Sequence, residues 1–118
     1  MAYAIGWLAT NSRDLWARDR LDYVTIEFET EIWTSSRGTQ RKEAVSATVT
    51  YDIAVRKATF FDTGADALEA LNTLRRLDRE GEVKRVSALF GDGAWTPEIK
   101  DLAIFKLFHE KVEEKDIF

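Results

Sequence analysis

The chain has 118 residues, of which 45% are hydrophobic, 32% charged and 12% aromatic; it carries a formal net charge of −4 and contains no cysteine. Plentiful apolar side chains exclude a disordered segment, and the lack of cysteine excludes disulfide frameworks, thiol catalysis and thiolate zinc sites. No apolar run approaches the roughly 18 residues of a membrane span, and the negative charge disfavours a general nucleic-acid binder. We therefore expect a single cytoplasmic domain over residues 1–118, with roughly 6,500 Å² of accessible surface when folded.

The beginning of the chain predicts one strand and little regular structure after it. The apolar and aromatic segment Ala2–Leu8 is typical of a short strand, and Thr10–Arg13 is typical of a turn. Asp14–Arg20 could form one or two helical turns, although its apolar residues do not share one face.

The next region predicts a long antiparallel hairpin. Between Asp22 and Trp33 the sequence alternates as in a strand with one buried and one solvated face: one phase holds Val24, Ile26, Phe28 and Ile32, and the other holds Thr25, Glu27, Glu29 and Glu31. Residues 35–39 predict a reversal, and alternation resumes over Val45–Val55 in a second long strand. We expect a third, short strand at Ala58–Phe61.

A helix is predicted next, beginning at Thr63 and stopped by Gly81. Thr63 followed by Asp66 matches a capping box, in which side chains satisfy the free amides of the first turn. Six apolar residues fall within one half of the helical wheel, which predicts a buried stripe. These residues are Ala67, Leu68, Ala70, Leu71, Leu74 and Leu77.

The last third predicts a strand at Val83–Phe90, a turn at Gly91–Gly93 and a helix capped by Thr96 that reaches about Lys115. The fold class is then α+β: an antiparallel sheet of about four strands with two main helices packed on it. If the segment after Pro97 is instead a strand, its continuous apolar run predicts burial on both faces.

An acidic row is the first candidate binding feature. Glu27, Glu29 and Glu31 share one strand face at a spacing of about 7 Å, and Trp33 extends that face. Such a row could bind a basic partner, and exposed tryptophan is enriched at binding hot spots. The alternative is an ordinary solvated face neutralised from the neighbouring strand. The available polar partners there are Lys42, Ser46, Thr48 and Thr50.

The final predicted helix supplies the second candidate surface. Its apolar residues surround nearly the whole circumference, more than one sheet face can cover, so Phe105 and Phe108 are candidate contacts for a partner or a second copy. Burial of these apolar residues within the chain explains the pattern equally well. Trp95, just before this helix, is interpreted as a hydrophobic staple.

A short motif gives an enzymatic alternative. Asp62-Thr63-Gly64-Ala65, preceded by Phe60-Phe61, resembles the active-site signature of the retroviral-type aspartic proteases. The resemblance implies a homodimeric hydrolase in which the two Asp62 side chains, one from each chain, share a single proton. The chain departs from the family where the predicted helix follows the signature, and a capped helix start explains the same residues.

No other catalytic or metal-binding constellation is complete. His109 and Glu113 are four residues apart, but nothing supplies further ligands, so we expect neither a metal nor a cofactor. The basic residues between Arg75 and Arg85 leave nucleic-acid binding as a further alternative.

These observations favour a non-enzymatic protein-protein interaction module: an inhibitor, an adaptor or an assembly subunit that occupies a partner's basic or apolar surface. A homodimer is an alternative assembly, and a membrane partner is not expected. In size and acidity the chain is similar to phage-encoded inhibitors of host nucleic-acid machinery. The candidate partner-binding residues are Glu27, Glu29, Glu31, Trp33, Phe105 and Phe108.

Overall fold

The computed structural model describes residues 2–9, 20–91, 93–106 and 110–117, and these contain eight strands in two sheets and one α-helix. The elements in chain order are β1 (Tyr3–Ala9), β2 (Arg20–Tyr23), β3 (Thr25–Thr34), β4 (Gln40–Tyr51), β5 (Phe60–Phe61), α1 (Gly64–Arg79), β6 (Val83–Ser87), β7 (Ala103–Lys106) and β8 (Glu110–Val112). The turn predicted at 10–13 lies outside these residues, as does the helix predicted at 14–20 except for Arg20, which begins β2.

This architecture corrects the predicted fold class. The chain does not form two main helices on a sheet of about four strands; its strands divide between two sheets, and α1 is the α-helix of the described residues. The prediction of a final helix is wrong, because this region contains β7, β8 and short 3₁₀ turns at Ile99–Asp101 and Glu114–Asp116. The strand predicted at 83–90 ends at Ser87.

The first sheet is built around β1 and is antiparallel throughout. One edge of β1 pairs with β7, which continues to β8, while the other edge pairs with β2 and β5. Ile104 and Phe105, adjacent in β7, are at most 1% exposed and belong to different apolar clusters. The alternative of a strand buried on both faces is therefore confirmed, since neighbouring strand residues point to opposite faces.

The second sheet has the order β3-β4-β6. The predicted hairpin is confirmed, with β3 and β4 antiparallel, but β4 and β6 are parallel, contrary to the expected antiparallel sheet. Helix α1 lies in the crossover between β4 and β6, because parallel neighbours require a long connection.

Helix α1 follows its sequence signals closely. Oγ1 of Thr63 accepts a hydrogen bond from the backbone N–H of Asp66 at 3.1 Å, which is the N-cap half of the predicted capping box. All six residues of the predicted stripe are buried and contribute to the main apolar cluster. The helix ends at Arg79, and Gly81 has φ 75°, a left-handed conformation that favours glycine.

The segment between β6 and β7 does not form the predicted α-helix, and one of its carbonyl groups accepts two hydrogen bonds from the second sheet. The buried hydroxyl of Tyr51 donates to the carbonyl oxygen of Pro97 at 2.9 Å, and Nη1 of Arg85 donates to the same oxygen at 3.1 Å. Burial raises the pKa of the Tyr51 hydroxyl above its ordinary value. Pro97 is thus a tertiary contact and not the first residue of a helix.

Candidate functional site

The outer half of the β3-β4 hairpin protrudes from the rest of the molecule. Strand β6 pairs with β4 from Ala47 to Tyr51 and no further toward the hairpin turn, and residues 29–42 are all exposed. We call residues 29–45 the ribbon. At about 3.4 Å per residue, it extends about 20 Å beyond the last rung of β6.

The size of the molecule is consistent with a projecting element. The principal extents are 62 × 35 × 24 Å, and the radius of gyration is 15.8 Å, compared with about 13.5 Å for an average compact chain of this length. The accessible surface is 8446 Å², well above the roughly 6,500 Å² expected for a compact folded chain of this mass. An isolated two-stranded ribbon is only marginally stable in water. Because residues 29–42 are all exposed, the length of this ribbon is not explained by core formation.

The predicted acidic row lies on one face of β3. Glu27, Glu29 and Glu31 are all exposed. Oε2 of Glu29 accepts a hydrogen bond from Ser46 at 3.2 Å, and Glu27 lies opposite Thr48. The neighbouring strand therefore supplies hydroxyl groups at these two positions and no cation directly opposite.

A bulge changes the pairing at the third glutamate. The register shifts between Glu29 and Thr30, so Glu31 lies opposite Glu43 and Lys42 lies opposite Ile32 on the other face. The idea that Lys42 neutralises the row is wrong for this reason. The bulge adds Glu43 as a fourth carboxylate, which alternation alone could not reveal.

The distal end of the ribbon exposes two large apolar side chains. Trp33 is 53% exposed on the acidic face and lies opposite Arg41, whose guanidinium forms a 3.3 Å ion pair with Glu43. Ile32 is 67% exposed on the other face. Sequence alternation assigned Ile32 to the core because it shares the phase of Ile26, but no other element among the described residues covers this end.

A groove of about 600 Å³ lies between the nonacidic face of the ribbon and α1. Its apolar lining includes Phe28, Phe60 and Phe61, and Phe60 is 39% exposed. Lys42 and Arg76 contribute to its lining as well. Glu43, Asp62, Asp66 and Glu69 line it too, so the groove combines its aromatic patch with charges of both signs.

Of the two phenylalanines predicted as contacts on the last helix, Phe105 lies among the described residues. Phe105 is 1% exposed and packs edge-on against Tyr23, with ring centroids 6.5 Å apart, so its side chain serves the core and not the surface. Phe108 and His109 lie outside the described residues. Trp95 staples no helix; it is 76% exposed and contacts Trp7 edge-on at 5.6 Å between ring centroids.

The protease-like motif lies at the start of α1. Asp62 is exposed, Thr63 caps the helix, and Gly64 is the first helical residue. The structure thus assigns Thr63 and Gly64 a local structural role. The resemblance covers these few residues, after which the chain continues as a helix of 16 residues.

The basic residues between 75 and 85 are divided among several internal contacts. Arg75 forms a 2.6 Å ion pair with Glu114, which lowers the pKa of that carboxyl, and Arg76 pairs with Glu80 at 3.2 Å. Lys84 and Arg85 are neighbours in β6 and point to opposite faces of the sheet. Lys84 and Arg85 therefore do not belong to one patch, whereas Arg76 and Arg79 line a common groove.

Within the described residues, no group of three or more His, Cys, Asp or Glu side chains could hold a metal ion. No helix there has both the length and the apolar character needed to cross a bilayer. Comparison with protein-family models, curated proteins and solved structures finds no match to this chain.

Proposed function

We propose that the protein is a non-enzymatic interaction module and that the ribbon is the element that contacts its protein partner. The observation that carries this proposal is the combination of protrusion with exposed apolar side chains. Ile32 and Trp33 occupy opposite faces of a two-stranded arm that no third strand supports in the part of the chain that the structure describes. Large apolar residues exposed on a projecting element are typical of interaction sites.

The charges of the ribbon support a basic partner surface. Three carboxylates of the ribbon, Glu29, Glu31 and Glu43, lie on the face that Glu27 continues, and Glu31 and Glu43 are directly opposite each other. Like charges in opposed positions destabilise a strand pair, and the ion pair between Arg41 and Glu43 offsets only part of this repulsion. A basic partner would relieve the repulsion and would be attracted over distances of about 10 Å at moderate salt. Inhibitors, adaptors and assembly subunits can all work through such a surface.

The test is capture of the partner in the native host by a photo-crosslinking amino acid placed at position 33, with the same residue at Arg79 as a control. Arg79 is exposed at the end of α1, outside the ribbon. We expect one dominant adduct from position 33 and none of that mass from position 79. Equal adducts from both positions would contradict a ribbon-specific interface.

A matched pair of variants separates a specific contact from general stickiness. Ile32 in the ribbon and Leu89 in the turn after β6 are both 67% exposed. Ile32→Ser should greatly reduce capture of the partner, whereas Leu89→Ser should not, and neither should lower the melting temperature appreciably. Reversal of Glu27, Glu29 and Glu31 to lysine should also abolish capture, and undiminished capture by that variant would refute the acidic contribution.

A further inference from the structure

The backbone of β3 reveals which of its edges is available. In an antiparallel pair, successive residues direct their N–H and C=O groups alternately toward the paired strand and away from it. The carbonyl oxygen of Val24 accepts from the N–H of Thr59 at 3.1 Å, and the N–H of Ile26 donates to Oγ1 of Thr59 at 2.8 Å. Even-numbered residues of β3 therefore direct their backbone groups away from β4.

Beyond Ile26 this edge continues without a partner from the described residues. Phe28, Thr30 and Ile32 follow the same alternation, and β3 pairs with β4 alone. None of the backbone bonds between elements involves these three residues. A run of outward N–H and C=O groups is a template for another strand.

The opposite edge of the hairpin is covered by the chain itself from Ala44 to Tyr51. On β4, the N–H of Ala47 donates to the carbonyl of Glu82 at 3.0 Å, and the carbonyl of Ala44 accepts from Nη2 of Arg76 at 2.9 Å. Strand β6 covers the rungs beyond Ala47. The longer free edge of the second sheet, among the residues described, is therefore that of β3.

We propose that the free edge of β3 binds an extended segment of a partner protein in which basic and apolar residues alternate, and this rests on the proposed function of the ribbon. An added strand directs successive side chains to opposite faces. Those on one face would lie beside Glu27, Glu29 and Glu31, which selects lysine or arginine. Those on the other face would lie beside Phe28 and the aromatic patch of Phe60 and Phe61 in the groove, which favours apolar side chains.

A second copy of this chain does not fit the same edge. Two β3 strands paired antiparallel about a two-fold axis place residues of the same face opposite each other. With Glu29 opposite Glu29, each Glu27 faces Glu31; with Phe28 opposite Phe28, Glu27 faces Glu29. Every register that aligns the Glu27–Glu31 segments of the two copies opposes carboxylates and is destabilised, whereas a register centred on Ile32 aligns only residues 30–34 of the strand. The glutamate row therefore both blocks self-pairing and attracts a basic strand.

The test uses a synthetic probe, an acetylated and amidated eight-residue peptide of alternating lysine and valine. Amide hydrogen exchange of the full chain, measured by NMR, reports pairing residue by residue. Without peptide, the outward amides of Phe28, Thr30 and Ile32 should exchange rapidly, whereas those of Glu27 and Glu29 are bonded to β4 and should exchange slowly. With saturating peptide, the three outward amides should slow by at least about tenfold.

A proline substitution tests the backbone contact without removing a bond to β4. Thr30→Pro deletes an outward N–H, which edge strands tolerate, and Thr30→Ala keeps the N–H while removing the same side chain. Loss of one or two hydrogen bonds should weaken peptide affinity about tenfold in Thr30→Pro and by less than about twofold in Thr30→Ala. N-methylation of alternate peptide residues should have the same effect as the proline, and it leaves the protein unaltered if Thr30→Pro does not fold.

Slowed exchange at the three amides, together with weakened binding by Thr30→Pro and by N-methylation, supports the proposal. Equal affinity for a block peptide of four lysines followed by four valines, or binding without slowed exchange, overturns it in favour of simple charge attraction. A dimer that dissociates on Thr30→Pro, detected by sedimentation, also overturns it. Capture of the natural partner that requires Ile32 but survives Thr30→Pro would defeat only the edge-pairing proposal, whereas capture insensitive to both substitutions would defeat the function of the ribbon as well.

Discussion

Removal of the hydroxyl of Thr63 tests whether this residue caps α1. In the folded protein, Oγ1 of Thr63 accepts from the N–H of Asp66 at 3.1 Å, one of the amides at the start of α1 that have no partner within the helix. Replacing an N-cap threonine with alanine costs about 1 kcal/mol. Unfolding 118 residues has an entropy of about 0.25 kcal/mol/K, so Thr63→Ala should lower the melting temperature by about 4 °C.

Thr63→Ser is the matched control, because serine retains the accepting oxygen and is an equally good N-cap. Differential scanning calorimetry and urea titration should place Thr63→Ser near the wild type and Thr63→Ala about 1 kcal/mol below it, with an unchanged urea slope. An equal loss in both variants would show that the methyl group and not the cap matters. No loss in Thr63→Ala would refute the capping argument.

Three further substitutions test other parts of the structure. Leu71→Ala, at a side chain with no exposed surface, should lower the free energy of unfolding by about 3 kcal/mol in urea titrations, because it leaves a cavity in the main apolar cluster. Glu114→Gln should cost less than about 1 kcal/mol at pH 7, since both side chains of the ion pair with Arg75 are partly exposed to solvent. The stability difference between this variant and the wild type should vanish as the pH falls below 4.5 and through the lowered pKa of Glu114. A lowered carboxyl pKa means that the folded state stabilises the ionised form, and this contribution is lost on protonation. Glu31→Gln should raise thermal stability slightly, by less than about 1 kcal/mol, through relief of the repulsion with Glu43; a clear loss would indicate that the opposed carboxylates are already neutralised.

Local signals were sufficient for α1 and for the inner part of the hairpin. The stripe from Ala67 to Leu77 and the cap at Thr63 depend on residues three or four apart, and the structure has both. The buried phase of β3 was also evident as far as Phe28. In these elements, the sequence period and the contacts that bury the residues agree.

The region after Pro97 shows where periodicity is insufficient. A continuous apolar run fits a helix with apolar residues on all sides or a strand buried on both faces, and the local pattern does not separate the two. The structure contains β7, because β1 offers a free edge and apolar clusters lie on both sides of it. That choice is made by partners almost a hundred positions away in sequence.

The sequence by itself determined the position of α1, the alternation of β3 and the acidic row of Glu27, Glu29 and Glu31, because each depends on neighbours along the chain. Tertiary structure alone decided that β6 stops short of the ribbon, that a bulge turns Glu43 toward Glu31, and that Ile32 is exposed although its phase predicts burial. Burial and strand edges depend on which elements meet in space, and a pattern of hydrophobic residues carries no information about where a third strand ends.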